Sequence, residues 1–188
     1  VYQKEIHRKE AELGALQMQI NPHFLYNTFQ IMDIIAEEKE VYEISDACQA
    51  LSRIFRYSVR KKEEVYVREE LNHIENYIFI QKLRFEDRLT VEYHIDPETE
   101  ALEILKLIIQ PLVENAIVHG MENQNSGCNI ILSTHIKEGR LYIIVEDSGA
   151  GMEKEEVENV YREMNRESAE EDTSRKTEGG IAMRNVHQ

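Results

Sequence analysis

The sequence predicts an α+β fold: an N-terminal helical hairpin that forms a four-helix bundle when two chains associate, followed by an α/β module. Three observations carry this reading. Only one of the 8 glycines, Gly14, precedes residue 120. Pro22 is the only proline in the first 96 residues. Past residue 120, glycines punctuate short alternating apolar runs. Gly and Pro are the weakest helix formers, so a stretch nearly free of both reads as long helices. We place the division at 1–65 for the helical module and 66–188 for the α/β module.

From Val1 to about Lys39 the pattern is helical. Ile6, Leu13 and Ile20 recur every seven residues, with Leu16 between the last two. This is a short seam suited either to a second chain or to a larger core. Pro22 lacks an N–H and should kink this helix. A second helix is expected from Glu43 to about Arg60, with Ile44, Ala47, Leu51, Ile54 and Ser58 on one face. Two antiparallel helices per chain make a four-helix bundle in a dimer. After the charged break Lys61–Glu64, a helix should run from Arg68 to about Phe85. Leu89–Ile95 alternates as a strand does. Ile108–Gly120 reads as a buried helix closed by Gly120 at its C-cap. Asn129–Ile136 and Arg140–Glu146 read as strands joined at Lys137-Glu138-Gly139, a hairpin signal. Glu153–Met164 is an acidic amphipathic helix, and the polar stretch 166–178 a mobile loop.

Composition narrows function. Hydrophobic residues make up 41% of 188, enough to build a core. Lys plus Arg number 22 against 36 Asp plus Glu, a net charge of −14. Direct nucleic-acid binding needs clustered cations and is not expected. A nucleotide screened by Mg²⁺ is compatible. Cys48 and Cys128 lack C-x-x-C spacing and read as two buried thiols in a reducing compartment. No apolar run reaches the roughly 18 residues that cross a bilayer. A chain starting at Val1 suggests a soluble piece of a longer protein.

Three segments of the second module could carry chemistry. In Pro111-Leu112-Val113-Glu114-Asn115-Ala116-Ile117-Val118-His119-Gly120, polar Glu114, Asn115 and His119 interrupt an apolar helix. Asn115 and His119, four apart, share a face. Buried polar groups need partners, and Mg²⁺ for a carboxamide oxygen is one; a network inside the fold is another. Val145-Glu146-Asp147-Ser148-Gly149-Ala150-Gly151-Met152 follows a strand. There Asp147 can accept an exocyclic amine while Gly149 and Gly151 let backbone approach a planar ligand. Gly179-Gly180-Ile181-Ala182 precedes a helix start, where exposed N–H groups suit phosphate.

In this order the three segments resemble the N, G1 and G2 boxes of the GHKL ATP-binding fold, an α/β sandwich. Upstream, Gln17-Met18-Gln19-Ile20-Asn21-Pro22-His23-Phe24-Leu25-Tyr26-Asn27 resembles the phosphoacceptor motif of LytS/YesM-type sensor histidine kinases. Leu51-Ser52-Arg53-Ile54-Phe55-Arg56-Tyr57-Ser58 and Tyr77-Ile78-Phe79-Ile80-Gln81-Lys82-Leu83-Arg84-Phe85 are also similar to that family. The likeness spans about residues 15 to 188.

The resemblance implies a two-component kinase core in which His23 takes the γ-phosphoryl group of ATP and passes it to an Asp of a response regulator receiver domain. It implies Asn115 as Mg²⁺ ligand, Asp147 as adenine reader, and His119 near the phosphates. Gly149, Gly151, Gly179 and Gly180 would shape the pocket and lid, with Glu114 as a helper. It further implies a homodimer, and a cytoplasmic position within a membrane-anchored protein. Neutral imidazole is a competent nucleophile at cellular pH. Departures from the pattern are Phe24 where many histidine kinases have an acid, Val118 in place of Lys, and Ala182 in place of glycine. The family also continues beyond the position of Gln188. Val118, Ala182 and the shorter C-terminus motivate an alternative, a kinase-inactive ATP-binding scaffold; an ATPase using Glu114 to activate water is a third reading.

Overall fold

The computed structural model describes residues 22–122, 127–151 and 154–164. The chain divides between Lys61 and Lys62 into two compact units.

The first unit is a helical hairpin, α1 (Pro22–Glu38) and α2 (Tyr42–Ser58). A tight turn joins them, with Glu40 at φ 59° and the Val41 N–H donating to the Ala36 carbonyl at 2.9 Å. The stripe of α2 that is buried is Ser45, Cys48 and Ser52, with Ala50 beside it. The apolar face read from the sequence lies beside it. Ile44 and Ser58 are exposed, while Ala47, Leu51 and Ile54 are only half-buried. Small side chains allow close helix approach, and the polar ones find partners. The Ser45 hydroxyl donates to Asp33 Oδ1 at 2.5 Å, and Gln49 Nε2 donates to the same oxygen at 3.3 Å. The expected Ile6–Leu13–Ile20 seam and the stretch upstream of Pro22, where a kinked helix was expected, lie outside the described residues.

The second unit begins with β1 (Glu64–Tyr66), followed directly by α3 (Val67–Phe85). Glu69 opens α3 by accepting the Tyr66 N–H at 3.2 Å, half of a capping box. Next come β2 (Leu89–Ile95), β3 (Glu103–Leu105), α4 (Gln110–Glu122), β4 (Cys128–Lys137), β5 (Arg140–Asp147) and α5 (Lys154–Met164). Strand β1 pairs antiparallel with β3, an extra ribbon that the sequence pattern did not signal. The main sheet has the order β2-β4-β5, with β2 and β4 parallel and β4 and β5 antiparallel. Glu138 and Gly139 both take positive φ, the two-residue turn that suits sheet twist.

Alternation along β4 sorts its side chains. Cys128, Ile130, Leu132 and Thr134 are buried, whereas their neighbours are half-buried. Cys128, Ile130 and Leu132 pack with Leu71, Ile74 and Ile78 of α3 and with Val113, Ala116 and Ile117 of α4. The core is therefore a helix layer on one face of the sheet.

Two expectations about α4 need correction. It starts at Gln110, not Ile108, because Leu107 sits at φ 62° and the Leu107 and Ile109 N–H groups are drawn out of the helix by Glu70. It also continues past Gly120 to Glu122. Gly120 is not a cap: a Cβ there would collide with Cys128 Sγ and lie 3.1 Å from Cys128 Cβ. Glycine is required at this position so that the helix can lie close against β4.

Candidate functional site

His23 lies in the first turn of α1 and is exposed. Its Nδ1 is 3.2 Å from Asn27 Nδ2, one turn further along. One helical turn thus fixes the edge of the ring. Nearby, Arg56 of α2 donates to the Tyr26 hydroxyl at 2.7 Å and lies 4.7 Å from that ring's centre. Tyr26 and Arg56, both in the quoted motifs, staple the two helices beside the histidine.

The second unit gathers the N and G1 segments at one end of the sheet. Strand β5 ends at Asp147, whose Oδ1 accepts the Gly149 N–H at 2.8 Å. This short side-chain turn reverses the chain after the strand. Ser148 ties the turn to β4, donating its N–H to the Asn129 carbonyl and accepting the Asn129 N–H on its hydroxyl, each at 2.9 Å. A Cβ on Gly149 would lie 3.3 Å from Gly120 Cα, 3.4 Å from the His119 carbonyl oxygen and 2.5 Å from Asp147 Oδ1. The turn after β5 therefore sits directly on α4 where His119 and Gly120 stand. Gly151, at φ 72° with open space around it, permits a backbone path that other residues rarely take.

Asp147 and His119 are exposed, while Glu114 and Asn115 are half-buried one turn earlier on α4. Asn115 offers a neutral oxygen donor. That suits Mg²⁺, which takes one or two protein ligands and fills its other positions with water and substrate phosphates. Among the described residues, no cluster of three or more His, Cys, Asp or Glu could hold a metal by itself. Glu114 accepts from Gln110 Nε2 at 2.6 Å. The Tyr77 phenol is pushed up to about 12, first by burial and then by the Glu114 charge.

Asp147, Gly149, Gly151, Glu114, Asn115 and His119 thus lie on two adjoining elements of one unit. His23 belongs to the other unit. Gly179, Gly180, Ala182 and the 166–178 stretch lie outside the described residues. A shallow depression of about 260 Å³, lined by Asp87, Arg88, Thr90, Gly127, Cys128, Asn129 and Ser148, contains none of the predicted site residues. Both cysteines are buried thiols, and burial pushes the ionisation of each upward, as in structural thiols. Sequence reading missed Glu70 and His73. Two buried polar residues on an otherwise apolar face of α3 were the available signal.

Known proteins match both units. The histidine kinase family model matches residues 11–89. The model described as histidine kinase-, DNA gyrase B- and HSP90-like ATPase matches residues 101–188. The sensor histidine kinase YesM of Bacillus subtilis is 40% identical over 152 residues, covering 80% of this chain and 26% of that protein. The sensor histidine kinase YpdA of Escherichia coli is 39% identical over 80% of this chain and 27% of its own length. The sensor protein kinase HptS of Staphylococcus aureus is 33% identical over 84% of this chain and 30% of its own length. The chain therefore spans less than a third of each of these relatives. A histidine kinase domain from a blue-light-activated kinase of Erythrobacter litoralis superposes at a TM-score of 0.45 and 12% identity, over 88% of this chain and 82% of that one.

Proposed function

Because the chain belongs to the LytS/YesM type of sensor histidine kinases, we propose that it is a kinase core that moves the γ-phosphoryl group of Mg²⁺-ATP to His23. The observation that carries the reading is the seat of Gly149 against Gly120 and the His119 carbonyl. It sets Asp147 and the polar face of α4 around one end of the sheet, where a nucleotide can touch both. Asp147 accepts the adenine amine and Asn115 binds the metal. His119 lies toward the phosphates, and Gly179 and Gly180 close the site.

In the transfer, a lone pair of the His23 imidazole attacks the γ-phosphorus. An N–P bond forms, the bond to the β,γ-bridging oxygen breaks, and ADP leaves with that electron pair. The ring proton passes to a base, for which Glu114 is the candidate. Magnesium, when bound, spreads the phosphate charge; everything else is positioning by the chain. Asn27 contributes at the ring. Its Nδ2, 3.2 Å from Nδ1, holds one edge of the ring.

Further parts of the reading concern the whole protein. The exposed Phe24, Ile31, Ile34 and Ile35 of α1 form an apolar face that a second chain would cover, giving the four-helix bundle. An Asp of a response regulator receiver domain would take the phosphoryl group onward. Among the described residues no helix is long and apolar enough to cross a membrane, so a membrane anchor would lie elsewhere in the full protein.

The test is calorimetric titration with ATP, with and without Mg²⁺. Asn115→Ala should weaken Mg²⁺-ATP binding about tenfold or more, the typical cost of losing a metal-site contact, and leave metal-free binding unchanged. Asp147→Asn should weaken both. Unchanged affinities in both variants would remove the nucleotide site from these residues.

A further inference from the structure

Three side chains from two helices are linked head to tail, ending at the proposed base. His73 of α3 is buried. Its Nε2 lies 2.7 Å from Gln110 Oε1, and Gln110 Nε2 donates to Glu114 Oε1 at 2.6 Å. The direction of this chain follows from its end. A carboxylate only accepts, so Gln110 must give its NH₂ to Glu114 and keep its oxygen for His73. His73 must then carry its proton on Nε2. With the amide turned the other way, its oxygen would face the Glu114 oxygens.

The linkage stands on a fixed backbone. Glu70, fully buried one turn before His73, accepts the Leu107 N–H at 2.6 Å and the Ile109 N–H at 3.3 Å. It thereby holds the entry to α4 immediately before Gln110. Tyr77, one turn after His73, borders the same carboxylate. An acidic side chain only half-buried on a helix would ordinarily sample several rotamers. Here it is held by a donor that is itself held.

We propose that Gln110 and His73 are positioning residues for phosphoryl transfer: they fix the Glu114 carboxylate in one orientation on the polar face of α4. The proposal rests on the kinase reading above. Neither residue touches the reacting atoms. An amide is a poor proton carrier, so the chain orients Glu114 and does not conduct the proton.

The test uses the intact chain. Gln110→Ala and His73→Ala should slow His23 phosphorylation by about 10- to 100-fold, the range for slight misplacement of a reacting group. Mg²⁺-ATP affinity should stay within about twofold, because positioning acts on the rate and not on ground-state binding. His73→Gln, which keeps an N–H where Nε2 stands, should recover most of the rate. In a Glu114→Gln background, Gln110→Ala should cost almost nothing more, since the two act as one unit. Full additivity, or a loss confined to nucleotide affinity, overturns the proposal. Imidazole ¹⁵N–¹H correlation spectra give a readout independent of activity: a proton on His73 Nε2 supports the linkage, and one on Nδ1 alone breaks it. Label on wild-type His23 with undiminished rates in Gln110→Ala would sink the positioning role alone. No label on the wild type would sink the kinase reading and this role together.

Discussion

At the scale of single residues, the clearest requirement is for the absence of a side chain. Gly120 lets α4 lie against Cys128, and Gly149 lets the turn after β5 lie against Gly120. Gly120→Ala should destabilise the second unit by about 1–3 kcal/mol, the range for overpacking a filled core. Helix propensity alone would favour Ala by about 1 kcal/mol, so the sign of the change in a urea titration decides between the two effects. Cys128→Ala in the same chain should recover part of the loss. Tyr77 gives a prediction in pH. Its phenol ionises near its ordinary value of 10 in the unfolded chain and only toward about 12 when folded, because burial and then Glu114 disfavour the phenolate. Between these values the unfolded state holds fewer protons, so stability falls as pH rises. Tyr93, raised to about 12 by burial and then by Glu75, adds to the fall. Chemical denaturation from pH 9 upward should therefore show a shallower decline in Tyr77→Phe than in the wild type; equal declines would mean that Tyr77 ionises no later in the folded chain.

Among the elements, those built on periodicity were legible and those built on long-range pairing were not. Strand β2 runs from Leu89 to Ile95, the span its alternation predicts, and β4 and β5 extend the expected strands by one or two residues. The ribbon of β1 and β3 was invisible because three-residue strands carry no period to detect. The start of α4 was misplaced for a similar reason: Leu107 and Ile109 look like helix, but Glu70, almost forty residues earlier, takes their N–H groups. On α2 the sequence shows an apolar stripe, whereas the hairpin itself buries the small-residue stripe around Ser45, Cys48 and Ser52. The apolar residues left outside, together with Ile31, Ile34 and Ile35 of α1, are what a second chain would cover. Ile34→Glu should convert a dimer to a monomer in light scattering, while circular dichroism still shows the helices. A wild-type chain that is monomeric throughout would remove the bundle.

Over the whole molecule, the site was legible as motifs but not as geometry. The order Asn115, Asp147, Gly149 was readable because each residue type has its own chemistry. That Gly149 rests on Gly120 depends on how β5 and α4 pack, which no local pattern encodes. The Glu114 support was illegible because His73 lies 37 positions from Gln110. In the proposed reaction, α1 of the first unit would supply the nucleophile and the elements beside β5 of the second the nucleotide site. Phosphorylation of His23 is tested by incubation of the chain with γ-labelled ATP and Mg²⁺, beside His23→Ala. A kinase core with His23 as acceptor gives a label that is lost in acid, survives alkali and is absent from the variant. A label of equal strength in His23→Ala, or steady phosphate release indifferent to that substitution, would contradict it.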